Sequence, residues 1–268
     1  MTKAKGKNYV AIAARYAGDV VSGKILACQW TIKACRRQLD DLERAKSREF
    51  PYRFDRDRAS RICRFIELLP HIKGEWAKNS ARIELQPWQI FILTTVFGWV
   101  RRDTGLRRFK TAYLEMPRKQ GKSSVSSGVG IYCCCADGEA GSETYSAATT
   151  RDQAKIVWQD AWNMVERSPG LKKAFGVSTT AHAISQISTA SRFQALSAEG
   201  NSLDGLNNDL PVRPKKSRSR KLGMLPKLIR KPNVFQAQSV LKNARLNYGA
   251  IRRSTPVYLF AQILRYKP

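Results

Sequence analysis

The stretch from Leu106 to Tyr132, "LRRFKTAYLEMPRKQGKSSVSSGVGIY", constrains the fold more than any other part of the chain. Its first eleven residues alternate in polarity and are rich in aromatic and β-branched side chains, the pattern of a half-buried strand. Pro117 and Gly121 interrupt that pattern, and the small, apolar residues after Lys122 suit a buried helix. Downstream, "ETYSAATT" reads as a second strand, and Thr150 with Gln153 has capping-box spacing for the helix "RDQAKIVWQDAWNMVERS", which stops at Pro169-Gly170. Strand, loop, helix, strand, helix is the order of a parallel α/β unit. "AISQIS" and "SRFQALSA" add two short strands, expected as a hairpin.

The first 85 residues read differently. Tyr9 to Lys46 is helix-compatible and ends in "RRQLDDLERAK", where Asp40 and Arg44 have the spacing of an i,i+4 ion pair. In "FDRDRASRICRFIELLP" the residues Ala59, Ile62, Cys63, Ile66 and Leu69 share one helical face, and Pro70 stops the helix. Its arginines, Arg56, Arg58, Arg61 and Arg64, then face either solvent or DNA. A loop is expected around Gly74, a turn at Pro87, and a strongly apolar helix from Trp88.

Charge narrows the class of partner. The chain carries 48 Lys and Arg against 21 Asp and Glu, a net +27, which points to a polyanion and first of all to nucleic acid. The apolar run Val10 to Ala14 is cut by Arg15 before it reaches signal-peptide length, so a cytoplasmic location is expected. "IFILTTVFGWV" is about half a membrane span and closes on Arg101-Arg102, so a buried helix and no membrane association are expected. Six cysteines without a Cys-x-x-Cys pair, and two histidines, argue against zinc; Cys133 to Cys135 read as small buried hydrophobes.

Gly121-Lys122-Ser123 at the strand-to-helix junction is the second half of the phosphate-loop pattern G-x-x-x-x-G-K-[ST], with Met116 where the first glycine would stand. A bare Gly-Lys followed by Ser or Thr arises by chance in roughly one chain in eight of this length, so the junction must carry the reading. There, backbone N–H groups and the helix N-terminus converge on phosphate oxygens, with Lys122 placed for the β- and γ-phosphates and Ser123 for Mg²⁺.

Taken in order, "ELQPWQ", "MPRKQGKSS", "ETYSAATTRDQAKIVWQDA" and "LSAEGNSLDGLN", with "RFIELLPHIKGEWA" upstream, resemble the large terminase subunit of tailed bacteriophages over about residues 9 to 207. The resemblance implies a P-loop ATPase of the RecA-like, ASCE type that drives double-stranded DNA into a capsid, in a bacterial host cell. ATP and Mg²⁺ are the implied cofactors. The implied partners are DNA, the portal protein and the small terminase subunit, with the chain in a homo-oligomeric ring. Phosphate loops of this family commonly lack the first glycine and carry an arginine before the lysine stretch, which accommodates Met116 and Arg118. By that carry-over the catalytic residues are Arg118 and Lys122. The nucleotide-binding set is Gln89, Arg118, Lys119, Gln120, Gly121, Lys122, Ser123 and Ser124, with Ser123 on Mg²⁺ through the nucleotide. Trp88 is expected to pack. Gln89 has two readings, one at the adenine edge and one as an ordinary helix-start residue.

The expected organisation is a helical lead segment over 1–85, a partial P-loop ATPase core over 86–207, and a basic tail over 208–268, expected to be disordered. The tail holds 15 Lys and Arg and a single acid, Asp209, where the preceding 207 residues hold 20 acids. In the family an apolar strand ending in Asp-Glu follows the last motif, and no Asp-Glu pair occurs here. A frameshifted or recombined tail is one expectation, with Glu199 or Asp204 as substitute acids the other. The functional expectations are correspondingly two: an ATPase portion coupled to DNA translocation, and a truncated prophage remnant that binds nucleotide or DNA without turnover.

Overall fold

The helical lead begins where Asn8 accepts a hydrogen bond from the Ala11 N–H at 3.0 Å, capping α1 (Tyr9–Val21). Helix α2 (Gln29–Arg44) follows. Strand β1 (Tyr52–Phe54) leads to α3 (Arg56–Glu67), whose cap is Asp55 accepting from the Arg58 N–H at 3.0 Å. The short α4 (Gly74–Lys78) closes the lead, and α5 (Pro87–Gly98), which has Pro87 at its first turn, follows. This is a computed structural model that describes residues 6–117, 119–148, 151–197, 234–237 and 262–264.

Helix α5 is buried on several sides because both α1 and α3 pack on it, which is why its sequence is apolar without a polar stripe. It runs straight into β2 (Trp99–Arg101), the antiparallel partner of β1. Trp99 is fully buried and donates its indole N–H to Gln38 Oε1 at 2.7 Å, tying β2 to α2.

The second layer is a sheet. Its strands are β3 (Glu143–Ala148), β4 (Val177–Thr179), β5 (Ala183–Gln186), β6 (Ser191–Ser197), β7 (Val234–Ala237) and β8 (Gln262–Leu264), in the spatial order β4-β5-β6-β3-β7-β8. Neighbours β6, β3 and β7 run parallel, while β4-β5, β5-β6 and β7-β8 pair antiparallel. The expected β5–β6 hairpin forms, in register Ala183 to Gln194. Helices α6 (Lys122–Cys135) and α7 (Arg151–Glu166) lie side by side on this sheet, joined by Ser127 Oγ donating to Val157 O at 2.7 Å. The short α8 (Pro169–Phe175) closes the path back to β4. The chain is thus a mixed α/β fold with a helical N-terminal part.

Helix α6 is held from two sides. A Cβ on Gly128 would stand 3.1 Å from Ile66 of α3, and a Cβ on Gly130 would stand 2.6 Å from the ring of Phe193 on β6. Cys134 and Cys135 are buried among these neighbours, and burial pushes the Cys134 thiol up to about 12.

Four expectations are corrected. The strand expected over Leu106–Met116 does not form a ladder. Only Arg107 bridges to Val100, and the rest of the segment has no strand beside it among the described residues. Its alternation is nevertheless obeyed: Ala112, Leu114 and Met116 face the cleft between α5 and α6, while Tyr113 is exposed. Alternation reports one-sided burial, and burial here comes from helices. Second, the tail is not wholly unstructured, since Val234–Ala237 and Gln262–Leu264 join the sheet beside β3. These are short β-prone runs meeting an otherwise open strand edge. Third, a helical turn, α4, occupies the loop expected after Gly74. Fourth, Arg44 pairs with Asp41 at 3.4 Å instead of Asp40, because Asp41 faces inward. The Thr150 cap, Glu199, Asp204 and most of 198–268 lie outside the described residues.

Gly130→Ala is expected to lower unfolding stability by about 1 to 3 kcal/mol, the range for overpacking a fixed core position. Phe193→Leu in the same chain should recover part of that loss. Thermal denaturation of the two variants and their combination checks this, and a neutral Gly130→Ala would contradict the close approach.

Candidate functional site

The site is built on the turn that feeds α6. Lys119 (φ 65°) and Gly121 (φ 73°) both take left-handed backbone conformations just ahead of the helix. Gly121 is the N-cap of α6, and the first intrahelical bond runs from the Val125 N–H to Gly121 O at 3.0 Å. The N–H groups of the first turn, including Lys122, Ser123 and Ser124, therefore have no carbonyl partner within the helix. Together with the positive end of a 14-residue helix dipole they form an anion-attracting concavity. A residue with a Cβ at position 121 would be strained by the positive φ.

Beneath the loop lies a narrow apolar cleft between α5 and α6. Trp88, Val96, Met116 and Val129 line it, and the half-buried Lys122 stands at its edge. Gln89 is buried at the start of α5, and its Oε1 accepts from the Gln86 N–H at 2.8 Å. Its Nε2 lies 3.3 Å from where a Cβ on Gly121 would be. The helix-start reading of Gln89 accounts for its oxygen. The amide nitrogen faces the loop.

Lys119, Gln120 and Gly121 are exposed, and Lys122, Ser123 and Ser124 are half-buried, so the structure gathers seven of the sequence-selected residues, Gln89 included, around one turn. Arg118 lies outside the described residues. The sequence reading missed Arg107 and Arg108, which anchor the approach to the loop. Arg107 pairs with Asp137, and Arg108 pairs with the buried Asp41 at 2.7 Å while stacking over Tyr52 at 4.6 Å and Trp99 at 5.4 Å. The adjacent Arg-Arg pair next to an aromatic-rich segment was the only available signal.

A family model for the terminase large subunit, ATPase domain, matches residues 87–230, more than half of the chain and the whole of this loop. The chain belongs to the terminase large-subunit ATPase family. The matched span begins at the start of α5 and runs past Asn207, so likeness to the terminase family ends later than the sequence motifs alone suggest. Among solved structures, the crystal structure of the large terminase of bacteriophage HK97 is similar at 25% identity, over 56% of this chain and 29% of that one, with a TM-score of 0.46. A search of curated proteins found no match. Among the described residues no helix is long and apolar enough to cross a membrane.

Gly121→Ala is expected to destabilise this terminase domain by about 1 to 2 kcal/mol, the cost of a left-handed residue with a Cβ. Gly121→Asn should lose less, because asparagine tolerates that conformation. Chemical denaturation of both variants checks the order, and equal losses would contradict it.

Proposed function

We propose that Lys119, Gln120, Gly121, Lys122, Ser123 and Ser124 bind the phosphates of ATP, and that the chain is the ATP-binding portion of a phage DNA-packaging motor. The observation that carries this reading is the left-handed Gly121 at the mouth of α6, with unpartnered first-turn N–H groups and Lys122 beside them, inside the family-matched span. Lys122 contacts the β- and γ-phosphates, and Arg118 answers γ-phosphate charge. The Gln89 amide reads the adenine edge with the donor half that its helix cap leaves unused. Ser123, at the first turn of α6, fits a hydroxyl ligand to Mg²⁺ held through the nucleotide; that ion would neutralise phosphate charge.

On this reading residues 1–85 are a helical lead, 86–207 a partial RecA-like, ASCE-type core, and 208–268 a basic extension. Double-stranded DNA, the portal protein and the small terminase subunit are the partners, in a homo-oligomeric ring within the bacterial cytoplasm. ATP hydrolysis drives translocation in the complete motor.

A second reading is favoured by one observation. Turnover needs a carboxylate to hold Mg²⁺ and another to polarise water. After Asn207 the sequence offers only Asp209, and the strand beside β3 is Val-Phe-Gln-Ala. This supports a remnant that binds nucleotide or DNA with negligible turnover.

Direct titration tests nucleotide binding. Lys122→Ala should weaken Mg·ATP roughly ten- to a hundredfold, the equivalent of about 1.5 to 3 kcal/mol for one charge-assisted contact. Equal affinities for the variant and the parent chain would defeat the assignment of the loop.

DNA binding is expected to be dominated by the basic extension, which supplies 14 of the 27 net charges. Replacing Lys215, Lys216, Arg218, Arg220 and Lys221 by glutamine in the full chain should lower the slope of log affinity against log salt by about four to five. An unchanged slope would show that DNA is held elsewhere.

A further inference from the structure

At the opposite end of α6 from the loop is an open hollow of about 420 Å³. Its charged wall consists of Arg58 and Arg61 from α3, Arg107, and Asp137 and Glu139 just beyond α6, and Tyr132 forms part of its floor. The Tyr132 ring is wedged edge-on against Phe65 at 5.4 Å and Phe97 at 5.5 Å, and only 1% of the residue is exposed. Tyr132 lines the hollow, and its hydroxyl makes no hydrogen bond among the described residues. Burial raises the Tyr132 pKa, while the guanidiniums of Arg61, Arg107 and Arg58 act in the opposite direction, so all three stand near the phenol.

The arginines are not equivalent. Arg107 is committed to Asp137 and to the face of Phe97, with its guanidinium carbon 4.6 Å from the ring centre. Arg58 donates to Gly105 O at 3.0 Å, which fixes its direction. Behind it, Asp55 is shared with Arg53, so that pair balances itself. Arg61 is exposed and has no acidic partner among the described residues. Three arginines against Asp137 and Glu139 leave the hollow with one net positive charge.

We propose that this hollow binds a phosphodiester of a nucleic-acid backbone, with Arg61 as the charge contact and Arg58 and the Tyr132 hydroxyl as hydrogen-bond donors. A single positive charge matches the single negative charge of a phosphodiester better than the near-double charge of a phosphate monoester. Arg64 extends the site: it lies one turn further along α3, also exposed and without an acidic partner among the described residues. Side chains at that spacing stand about 5 to 6 Å apart at their Cβ atoms, which suits successive phosphates of one strand. A small free anion would leave Arg64 unused. The site rests on the proposed DNA partner but not on the nucleotide loop, which is roughly 20 Å away along a helix of 14 residues.

The test is arginine footprinting of the full chain with phenylglyoxal, read by mass spectrometry, with and without a short DNA duplex at low salt. Arg61 and Arg64 should be protected about fivefold or more, while the exposed Arg36 and Arg48 on and after α2 react as before. Inorganic phosphate at the same phosphate concentration should not protect Arg61. In a DNA titration, Arg61→Gln with Arg64→Gln should reduce the salt slope by about two, and Arg36→Gln with Arg48→Gln should not change it. Tyr132→Phe, which keeps the ring packing, should weaken duplex binding about twofold to threefold.

Protection of Arg61 by inorganic phosphate alone would overturn the nucleic-acid assignment in favour of a free anion. Uniform protection of all four arginines, or an unchanged salt slope in the Arg61 and Arg64 variant, would overturn the site itself. A full chain that binds no duplex at all would instead remove the proposed DNA partner.

Discussion

The clamp on α6 positions both candidate sites of this chain, the loop before the helix and the hollow beyond it. Gly128 and Gly130 lie two residues apart, hence on nearly opposite faces of the helix, and neither face has room for another carbon. One face meets Ile66 of the helical lead, the other meets Phe193 of the sheet, and both neighbours are fully buried. A helix held this way cannot slide or rotate without a clash on one side or a gap on the other. Its two ends are consequently fixed in space. The N-terminal end carries the left-handed Gly121 and the loop; the C-terminal end carries Tyr132 and the arginine-lined hollow. The weak helix propensity of glycine costs about 1 kcal/mol at each position, and close packing of α6 between two layers offsets it.

The approach to the loop depends on a different device. Residues 109–117 lack a ladder among the described residues, so backbone pairing does not hold them. Two adjacent arginines do so from opposite directions. Arg107 reaches Asp137 at the far end of α6, and Arg108 reaches Asp41 on α2 inside a cage of Phe50, Tyr52, Trp99 and Phe109. Asp41 is 2% exposed, so removing Arg108 would leave a buried carboxylate with only its 3.4 Å contact to the exposed Arg44. The cation–π contacts lower the cost of burying the guanidinium. Beyond these anchors Ala112, Leu114 and Met116 cover the cleft between α5 and α6 through apolar contact. The loop is thus tethered to both the lead and α6, while Lys119, Gln120 and Gly121 stay exposed.

What could be read from the sequence follows from how far each signal reaches. The helix α3 was legible because its apolar residues repeat within one turn of each other and Pro70 stops it. The junction at Gly121 was legible because a left-handed turn, a lysine and a run of small residues are local. The 106–116 segment was half legible: period-two alternation correctly named its buried face, but a ladder depends on a partner far away in sequence. The choice between Asp40 and Asp41 needed the position of Arg108, sixty-odd residues on. Strands β7 and β8 were hidden because four- and three-residue runs inside a strongly basic segment do not stand out from their surroundings. The hollow around Arg61 draws on α3, Arg107 and the residues after α6, and no window of sequence contains all three.

Binding a nucleotide and turning it over make separate demands, and the two fall on different parts of this chain. Phosphate binding needs N–H groups and a cation at one turn, which on the proposed reading come from residues 119–124 and are set by the local backbone. Turnover needs carboxylates brought to that turn from other strands, which is a property of the sheet and of the sequence that fills it. In this sheet the neighbours of β3 are β6 and β7, and neither Ser191–Ser197 nor Val234–Ala237 contains an acid. Among the described residues, Glu143 of β3 pairs with Arg192 at 2.5 Å, and Asp160 of α7 pairs with Lys73 at 2.6 Å. A basic extension would raise affinity for DNA through counterion release whether or not ATP is hydrolysed, since that attraction requires only charge. On the proposed reading, affinity for ATP and for DNA would therefore persist in such a chain independently of catalysis, each resting on its own residues and each lost by a different substitution.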